Sequence, residues 1–321
     1  MEVKISYGNG IGLKLNGETF LLDPKISDFT SFVSHAHFDH SPYEIIKKPY
    51  CTQETFELIK VRDPSFKANI VRKNEKIDFG KVSVEFINSG HMLGSAQILI
   101  ETKDVSILYT GDFKLRESLS CESIEIRNAD ILIIESTFGL RSISFPSLEK
   151  IEEELISWIE KQLKEGYSIN LGGYPLGKSQ EIISILNRNK IYPKLSSTVE
   201  KYSEVYGKFG IKLNYGKDDE IFVKPINIVC SIKSSKWKSC VLTGWTLLRD
   251  FGTFGLPLSD HSDFNQILSF VKEVRPKVVY CVHGFVKELS SAIRKELGIK
   301  AFPLFKDNNF NEQKSLVEFK I

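Results

Sequence analysis

The chain has 321 residues, of which 41% are hydrophobic and 26% charged, a composition typical of a globular protein. The net charge is only +2, but residues 178–245 hold 12 Lys and Arg against six Asp and Glu, a net of +6, which indicates either a surface that faces a polyanion or a solvated lysine-rich face. We expect no membrane span and no secretory signal, and five scattered cysteines without a C-x-x-C pair favour reduced thiols in the cytoplasm over disulfides or a cysteine zinc site.

The first part of the chain is rich in predicted β-strands. Short apolar runs broken by Gly and Asn come first, and longer runs that end at polar residues follow: VKISYG, GLKLNG, ETFLLDP, KVSVEFINS, AQILIET, VSILYTGD and ADILIIEST. Residues 42–48 and 53–61 are helix candidates between them.

From residue 147 onward, helices and strands alternate. SLEKIEEELISWIEKQLKEG has apolar residues at helical spacing and stops at Gly166. SINLGG, a helix from Gly177, VLTGW, LPLSD, a helix from Asp263, KVVYCVHG and a helix from Val286 follow. The pattern predicts a layered α/β protein. We expect a first domain over 1–173, a small inserted cap over 174–245 that carries the positive charge, and the rest of the first domain over 246–321.

The segment LGGYPLGKSQEII, residues 171–183, matches the phosphate-binding pattern G-x-x-x-x-G-K-[ST]. A working P-loop also needs a downstream apolar strand that ends in an acidic residue and holds Mg²⁺. The candidate strands after Ser179 end without one. We therefore expect no ATP or GTP binding. The glycines would allow a tight turn.

Histidines carry the chemistry that the sequence predicts. In SHAHFDHS, His35 and His37 are two residues apart, so both can point to one metal ion in an extended or tightly turned loop. Asp39 and His40 follow and can turn toward a second ion.

Further ligands are predicted downstream, at the ends of strand-like runs. His91 lies in the glycine-flanked turn of NSGHMLGSAQ, Asp112 follows the strand in ILYTGDF, and His283 ends VVYCVHGF. Each alone could be structural, but together they complete two sets that share one bridging carboxylate: His35, His37, His91 and Asp112, and Asp39, His40, Asp112 and His283. Imidazole and carboxylate ligands favour two Zn²⁺ ions, with Mn²⁺ as a substitute.

These motifs resemble those of a known family. H-x-H-x-D-H, G-H, T-G-D and H-G are similar to the metallo-β-lactamase fold, and GHMLGSAQ, YTGDF, IIESTFG, PLGKSQE, LSDHSDF and CVHGF resemble the β-CASP nucleases. The resemblance runs from about residue 12 to residue 284. ESTFGL, LTGW…R and LSDHSDF look most similar to the DNA-ligase-associated exonucleases and to archaeal 3′-end processing factors.

The resemblance implies an αββα four-layer sandwich with a small inserted β-CASP-like α/β cap. It also implies a catalytic set of His261, Glu135, Asp39 and Asp23. In this set Asp23 steadies the histidine loop, and Glu135 orients His261. His261 contacts the scissile phosphate and acts as general acid.

The implied reaction is phosphodiester hydrolysis, in which a hydroxide between two ions attacks phosphorus. The branch resemblance favours a DNA exonuclease of the ligase-associated type that acts in DNA repair. Because the cap is shorter than in the RNA-processing endonucleases, substrate class does not carry over from them. A ribonuclease that processes RNA 3′ ends and a non-nuclease hydrolase, such as a thioesterase or lactonase, are the alternatives.

The expected substrate is single-stranded DNA or RNA, whose backbone the cap would contact through Lys178, Lys233, Lys236 and Lys238. DNA ligase, repair proteins or RNA-processing proteins are candidate partners.

Overall fold

The computed structural model describes residues 2–306 and 317–320, and the chain folds into two compact units. The first unit comprises Met1–Glu117, Glu122–Ile143 and His261–Ile321, and the second comprises Ser118–Cys121 and Ser144–Asp260. Residue 1 and residues 307–316 and 321, which fall in the predicted ranges 1–173 and 246–321, lie outside the described residues.

The first unit contains two seven-stranded sheets. One has the order β21-β1-β2-β3-β5-β7-β8, with strands Glu2–Gly8 (β1), Gly10–Leu15 (β2), Glu18–Leu22 (β3), Thr30–Phe32 (β5), Tyr50–Thr52 (β7), Asn69–Val71 (β8) and Val317–Lys320 (β21). The other has the order β20-β19-β13-β12-β11-β10-β9, with strands Lys76–Asp78 (β9), Ser83–Asn88 (β10), Ala96–Glu101 (β11), Ser106–Tyr109 (β12), Ile131–Glu135 (β13), Val278–Val282 (β19) and Lys300–Pro303 (β20). Ile26–Ser27 (β4) and Glu44–Ile45 (β6) form a separate two-stranded pair.

Each sheet is antiparallel in one part and parallel in the other. β1, β2 and β3 are antiparallel, and β3, β5, β7 and β8 are parallel. β9 to β12 are antiparallel, and β12, β13, β19 and β20 are parallel. Parallel strands are usually covered on both faces, and β13 and β19 are buried along their whole length, as their unbroken apolar runs indicate.

Two apolar clusters separate the layers of this unit. Residues of both sheets, including Leu13 of β2 and Phe86 of β10, form one core between the sheets. The opposite face of the second sheet packs against the helices Phe264–Val274 (α6) and Val286–Ala292 (α7), the latter continued by a π-helical turn over Ile293–Leu297. Gln53–Arg62 (α1) contacts β7 and β8 of the first sheet. The predicted α/β sandwich is confirmed.

The second unit is built on a five-stranded parallel sheet of order β15-β16-β14-β17-β18. Its strands are Ser168–Gly173 (β14), Pro193–Leu195 (β15), Asp218–Pro225 (β16), Trp237–Leu242 (β17) and Phe254–Leu256 (β18), and its helices are Leu148–Lys164 (α2), Lys178–Arg188 (α3), Ser197–Lys208 (α4) and Ile226–Ser231 (α5). A Cβ on Gly172 would lie 3.0 Å from Val229 of α5, and one on Gly173 would lie 2.8 Å from Ile182 of α3. Because successive strand residues point to opposite faces, α3 and α5 cover opposite sides of the sheet.

Two predicted elements differ from the structure. Residues 42–48 are not helical, because the amides of Tyr43 and Glu44 donate to Lys25 O and those of Ile46 and Lys47 donate to Ser27 O. LPLSD is largely a loop, since β18 ends at Leu256. The predicted cap, 174–245, falls inside the larger second unit. Its first boundary separates β14 from α3, although β14 is the central strand of that sheet.

Among the described residues, no helix has both the length and the apolar composition that crossing a membrane requires.

Candidate metal centre

The predicted metal ligands and catalytic residues all lie in the first unit, at the carboxyl ends of its strands or just before a helix. His35 and His37 follow β5, and a 3₁₀ turn over Phe38–His40 completes that loop. Four more follow or end strands and one precedes α6: His91 after β10, Asp112 after β12, Glu135 at the end of β13, His283 after β19 and His261 before Asp263, the N-cap of α6. Carboxyl ends of parallel strands share one edge of a sheet, which brings residues far apart in sequence together.

Four donor atoms converge at this edge. His35, His37, His91 and Asp112 each offer an atom within 4.8 Å of the others. His37 Nδ1 lies 3.1 Å from His35 Nε2 and 3.2 Å from His91 Nε2, and Asp112 Oδ2 lies 3.5 and 3.8 Å from those same Nε2 atoms. Ligands at 2.0–2.1 Å from a tetrahedral zinc ion lie about 3.4 Å apart. The four separations therefore match four of the six edges of a tetrahedron around one cation, and the other two are within 4.8 Å.

Asp112 presents its second oxygen to a different histidine. Its Oδ1 lies 3.5 Å from His40 Nε2, which is 3.8 Å from Asp39 Oδ2. The ring of His283 lies 5.3 Å from that of His40. Among the described residues this set does not converge within 4.8 Å as the first does, and the Asp39 side chain is 79% exposed. A bridging role for Asp112 fits this geometry.

Asp23 binds the histidine loop through hydrogen bonds. Its carboxylate accepts from the Ser34 amide at 2.6 Å, the Ser34 hydroxyl at 2.6 Å and the Tyr109 hydroxyl at 2.9 Å, and it lies 2.8 Å from His40 Nδ1. With Nδ1 turned to Asp23, His40 directs Nε2 toward Asp112. Carboxylates that orient metal-binding histidines act in this way.

Burial and the neighbouring charged groups shift the pKa values of His35, His40 and Asp112. Burial lowers the pKa of His35 well below its usual range, and the neighbouring histidines lower it further, so His35 is in the neutral form that binds metal. Burial also acts to lower the pKa of His40, but Asp112 and Asp23 outweigh it and raise the pKa to about 10. Burial raises the pKa of Asp112 to about 6, although His40 opposes this rise. A bound cation would replace the protons that these shifts favour.

A second histidine–carboxylate pair lies beside the donors. His261 Nδ1 is 2.8 Å from Glu135 Oε1 and 3.0 Å from Oε2. The Phe113 amide donates to Glu135 at 2.9 Å and fixes the carboxylate. The ring of His261 lies 4.9 Å from that of His91. Burial acts to raise the pKa of Glu135, but His261 outweighs it and the pKa is lowered.

Unusual backbone conformations occur at this edge. Asp23 and His283 have φ of 48° and 56°, in the left-handed region that residues other than glycine rarely adopt. Gly284 also has positive φ, and a Cβ there would lie 2.6 Å from Thr137 Cα. Strained backbone of this kind concentrates at functional sites.

The lysines of the predicted cap have different surroundings. Lys233, Lys236 and Lys238 are exposed around β17. Lys178 is a correction: it is buried, and its Nζ lies 2.6 Å from Asp260 Oδ1 within the second unit, so it does not face a phosphate at the surface.

Sequence reasoning missed two tyrosines that support the centre. The Tyr109 hydroxyl donates to Asp23, and the Tyr7 hydroxyl lies 3.1 Å from His283 Nδ1. Burial raises the pKa of Tyr7 to about 12, so it stays protonated. Tyr109 precedes TGD in YTGD, which could have signalled its place, but Tyr7 lies in an ordinary strand pattern and gives no such signal.

The residues present fit a metal ion. Three imidazoles and a carboxylate, with their donor atoms within 4.8 Å of one another, are a donor set that zinc binds in proteins. The fold and this site define a metal-dependent hydrolase.

Comparison with known proteins supports this class. Residues 255–303 match the RMMBL family, described as a Zn-dependent metallo-hydrolase RNA specificity domain. These likenesses support the resemblance to the metallo-β-lactamase/β-CASP nucleases that the sequence motifs predict.

Two curated relatives and one solved structure illustrate the likeness. The chain is 31% identical to a probable DNA ligase of Opitutus terrae, over 96% of this chain but 31% of that protein, so it spans about a third of that relative. It is 26% identical to an RNase J-like protein of Methanocaldococcus jannaschii, over 84% of each chain. A crystal structure of a protein of unknown function from Enterococcus faecalis shares the fold, with a TM-score of 0.67 at 16% identity over 99% of this chain and 100% of that one.

Proposed function

We propose that the protein is a metal-dependent nuclease that hydrolyses phosphodiester bonds, and that it acts first of all as a DNA exonuclease in repair. The observation that carries this proposal is the Glu135–His261 pair beside the donor cluster. A hydrolase of small esters needs the metal donors, but it has no need of a second histidine held by a buried carboxylate at their edge.

The proposed centre holds two zinc ions, with Mn²⁺ as a substitute. His35, His37, His91 and Asp112 Oδ2 would hold one ion, and Asp112 Oδ1, Asp39, His40 and His283 would hold the other. Bound zinc would neutralise the phosphate charge and lower the pKa of water to about 7.

His261 is the proposed general acid. Because Nδ1 faces Glu135, Nε2 on the other side of the ring is the atom that would give a proton to the leaving oxygen. Glu135 fixes that orientation and stabilises the protonated imidazole. Asp23 and Tyr109 hold the histidine loop in place during turnover.

DNA and RNA are favoured by different comparisons. Similarity to a probable DNA ligase over nearly the whole chain favours DNA, and DNA ligase or repair proteins as partners. The RMMBL description and the RNase J-like relative favour RNA, so an RNA 3′-end processing ribonuclease is the second candidate. We also infer a reducing, cytoplasmic setting, in which all five cysteines remain the free thiols that they are here.

One assay tests the function and separates the candidates. The zinc-loaded protein is incubated with single-stranded DNA and RNA of one sequence, each labelled at the 5′ or the 3′ end, and with a thioester. We expect stepwise shortening of DNA from an end, with RNA cleaved more slowly and the thioester intact. Faster RNA cleavage selects the second candidate, and thioester hydrolysis alone rejects a nuclease.

The same assay with His261→Ala tests the acid. We expect kcat to fall about 100-fold while the metal content is kept, because general acid catalysis contributes roughly 10²–10⁴-fold. Wild-type turnover by this variant on both nucleic acids would show that His261 has no such role.

A further inference from the structure

A small cavity lies beside the metal centre, on the side of Asp39 and His283. Its volume is about 110 Å³, and its lining includes Tyr7, Lys25, Asp39, His283 and Lys306. All of these residues belong to the first unit. Water occupies about 30 Å³ per molecule in the liquid, so the cavity has room for a group of phosphate size and none for a nucleoside.

Two lysines, Lys25 and Lys306, lie in the lining of this cavity together with the carboxylates of Asp23 and Asp39. Lys25 Nζ donates to the carbonyl oxygens of Phe38 and Asp39, which uses two of its three N–H groups. Within the part of the chain that the structure describes, neither Lys25 nor Lys306 forms an ion pair. Both lysines lie in the lining of this one cavity, so a single anion bound there can contact both of them.

An exposed aromatic ring stands at the same place. Phe38 is 69% exposed, although it lies in the turn between His37 and Asp39. Lys25 Nζ lies 5.9 Å from the centre of its ring and binds the turn's carbonyls, so the ring sits on a braced segment. An isolated exposed phenylalanine needs no explanation. Here the ring lies beside Lys25 of the cavity lining and within the predicted metal-binding loop, and single-stranded nucleic acids bind such combinations of aromatic surface and lysine.

We propose that the cavity and Phe38 form a nucleotide subsite, in which a phosphate lies between Lys25 and Lys306 and the base of that nucleotide stacks on Phe38. The subsite rests on the proposed nuclease function and specifies where one nucleotide of its substrate lies. The phosphate has two possible sources, a terminal monophosphate or a phosphodiester of the backbone, and the chemistry that binds both is the same.

Stacking is tested by a fluorescent base. An oligonucleotide series carries 2-aminopurine at successive positions, in a His261→Ala background so that the strand is not consumed. At one position we expect quenching that Phe38→Trp keeps and that Phe38→Ala and Phe38→Leu lose, with binding about tenfold weaker in both latter variants. Phe302→Ala, which removes a ring that is 42% exposed on β20, should match the parent. Equal quenching in all variants overturns the stacking.

An abasic oligonucleotide provides the matching substrate control. If the base stacks on Phe38, removal of the base at the quenched position weakens binding to the parent but not to Phe38→Ala. Additive losses from the two changes would overturn the contact.

Phosphate binding is tested with Lys306→Ala, and with Lys103→Ala as a control from the exposed turn between β11 and β12. The ligands are one single strand with 5′-phosphate, 3′-phosphate or hydroxyl ends, and a circular strand. Weaker binding by Lys306→Ala to phosphate-ended strands alone identifies a terminal phosphate, and weaker binding to the circle as well identifies a backbone phosphate. No difference from Lys103→Ala on any ligand overturns the phosphate half of the subsite.

Failure of this inference can be told apart from failure of the proposed function. A wild-type protein that cleaves nucleic acid without dependence on Phe38 or Lys306 retains the function and loses the subsite. A protein that binds with these dependences but cleaves none of the strands retains the subsite and loses the nuclease function.

Discussion

At the scale of single residues, Asp112 is the carboxylate that both predicted sets of metal ligands share. Its Oδ2 faces His35 and His91, and its Oδ1 faces His40. Asp112 is thus the carboxylate whose two oxygens face histidines of the two different predicted sets.

We expect Asp112→Asn to bind less than one metal ion per chain where the wild type binds two, because the amide cannot supply two anionic oxygens. Elemental analysis after zinc loading and desalting measures this. Asp104→Asn, at an exposed turn, is the control and should bind as the wild type does. Unchanged stoichiometry in Asp112→Asn would remove the bridging role.

In the proposed reaction Glu135 acts through His261, whose Nδ1 lies 2.8 Å from its carboxylate. Glu135→Gln keeps the size of the side chain but loses the charge that orients and stabilises the imidazolium, so we expect kcat to fall about 100-fold with little change in KM or metal content. Glu117→Gln, at an exposed position, is the matched control. A loss of metal without a loss of kcat per bound ion would instead make Glu135 a residue of the metal set.

At the scale of elements, the turn after β19 is tightly constrained. Gly284 has φ of +63°, and its Hα positions face the backbone of Ser136 and Thr137. Gly298, which ends the π-helical turn, has φ of +66° but nothing within 4 Å of an added Cβ. The two glycines therefore separate backbone conformation from steric contact.

We expect Gly284→Ala to lower the free energy of unfolding by roughly 3 kcal/mol or to prevent folding, and Gly298→Ala to lower it by about 1 kcal/mol. Denaturant unfolding measures both. A folded Gly284→Ala protein no less stable than Gly298→Ala would show that the turn relaxes without cost.

The start of α3 has a structural role where its sequence pattern suggests a phosphate loop. Lys178 pairs with buried Asp260, and the Glu181 carboxylate accepts from Ser118, Leu119 and Ser120, which ties the segment 118–121 to the second unit.

We expect Lys178→Ala to lower the free energy of unfolding by about 3–5 kcal/mol, because it leaves the buried carboxylate of Asp260 unpaired. The control Lys201→Ala, on the exposed side of α4, should change the free energy of unfolding by less than about 0.5 kcal/mol. The melting temperature of the wild type should not rise with ATP or GTP. A stabilising effect of either nucleotide, lost in Lys178→Ala, would restore the phosphate-loop interpretation.

At the scale of the whole molecule, the sequence predicts the sandwich and most of the candidate site. It does so because the residues that carry this information stand close together in the sequence, in short recognisable patterns. Continuous apolar runs predict β13 and β19, and SHAHFDHS predicts the histidine loop. The rest depends on contacts between distant segments. Tyr7 reaches His283 from 276 positions away, and residues 118–121 join the second unit through Glu181. Residues 42–48 look helical by composition. Four of their backbone amides instead donate to the carbonyl oxygens of Lys25 and of Ser27 in β4.

The uneven charge of the molecule leads to a prediction about the proposed binding of nucleic acid. Lys233, Lys236 and Lys238 are exposed in the basic part of the chain. Each phosphate contact to a single strand contributes about 0.7 to the slope of log Kd against log salt concentration. Replacing the three by Ala should reduce this slope by about 2, whereas Ala at the exposed Lys14, Lys103 and Lys272 should leave it unchanged. Equal slopes would place the binding surface elsewhere.

The measurement that tests the central claim most directly is anomalous diffraction at the zinc edge from crystals of the zinc-loaded protein. We predict two peaks, one enclosed by His35, His37, His91 and Asp112, and one between Asp112, His40 and His283. No peak among these residues, or a single peak that leaves His40 and His283 without metal, would contradict the account.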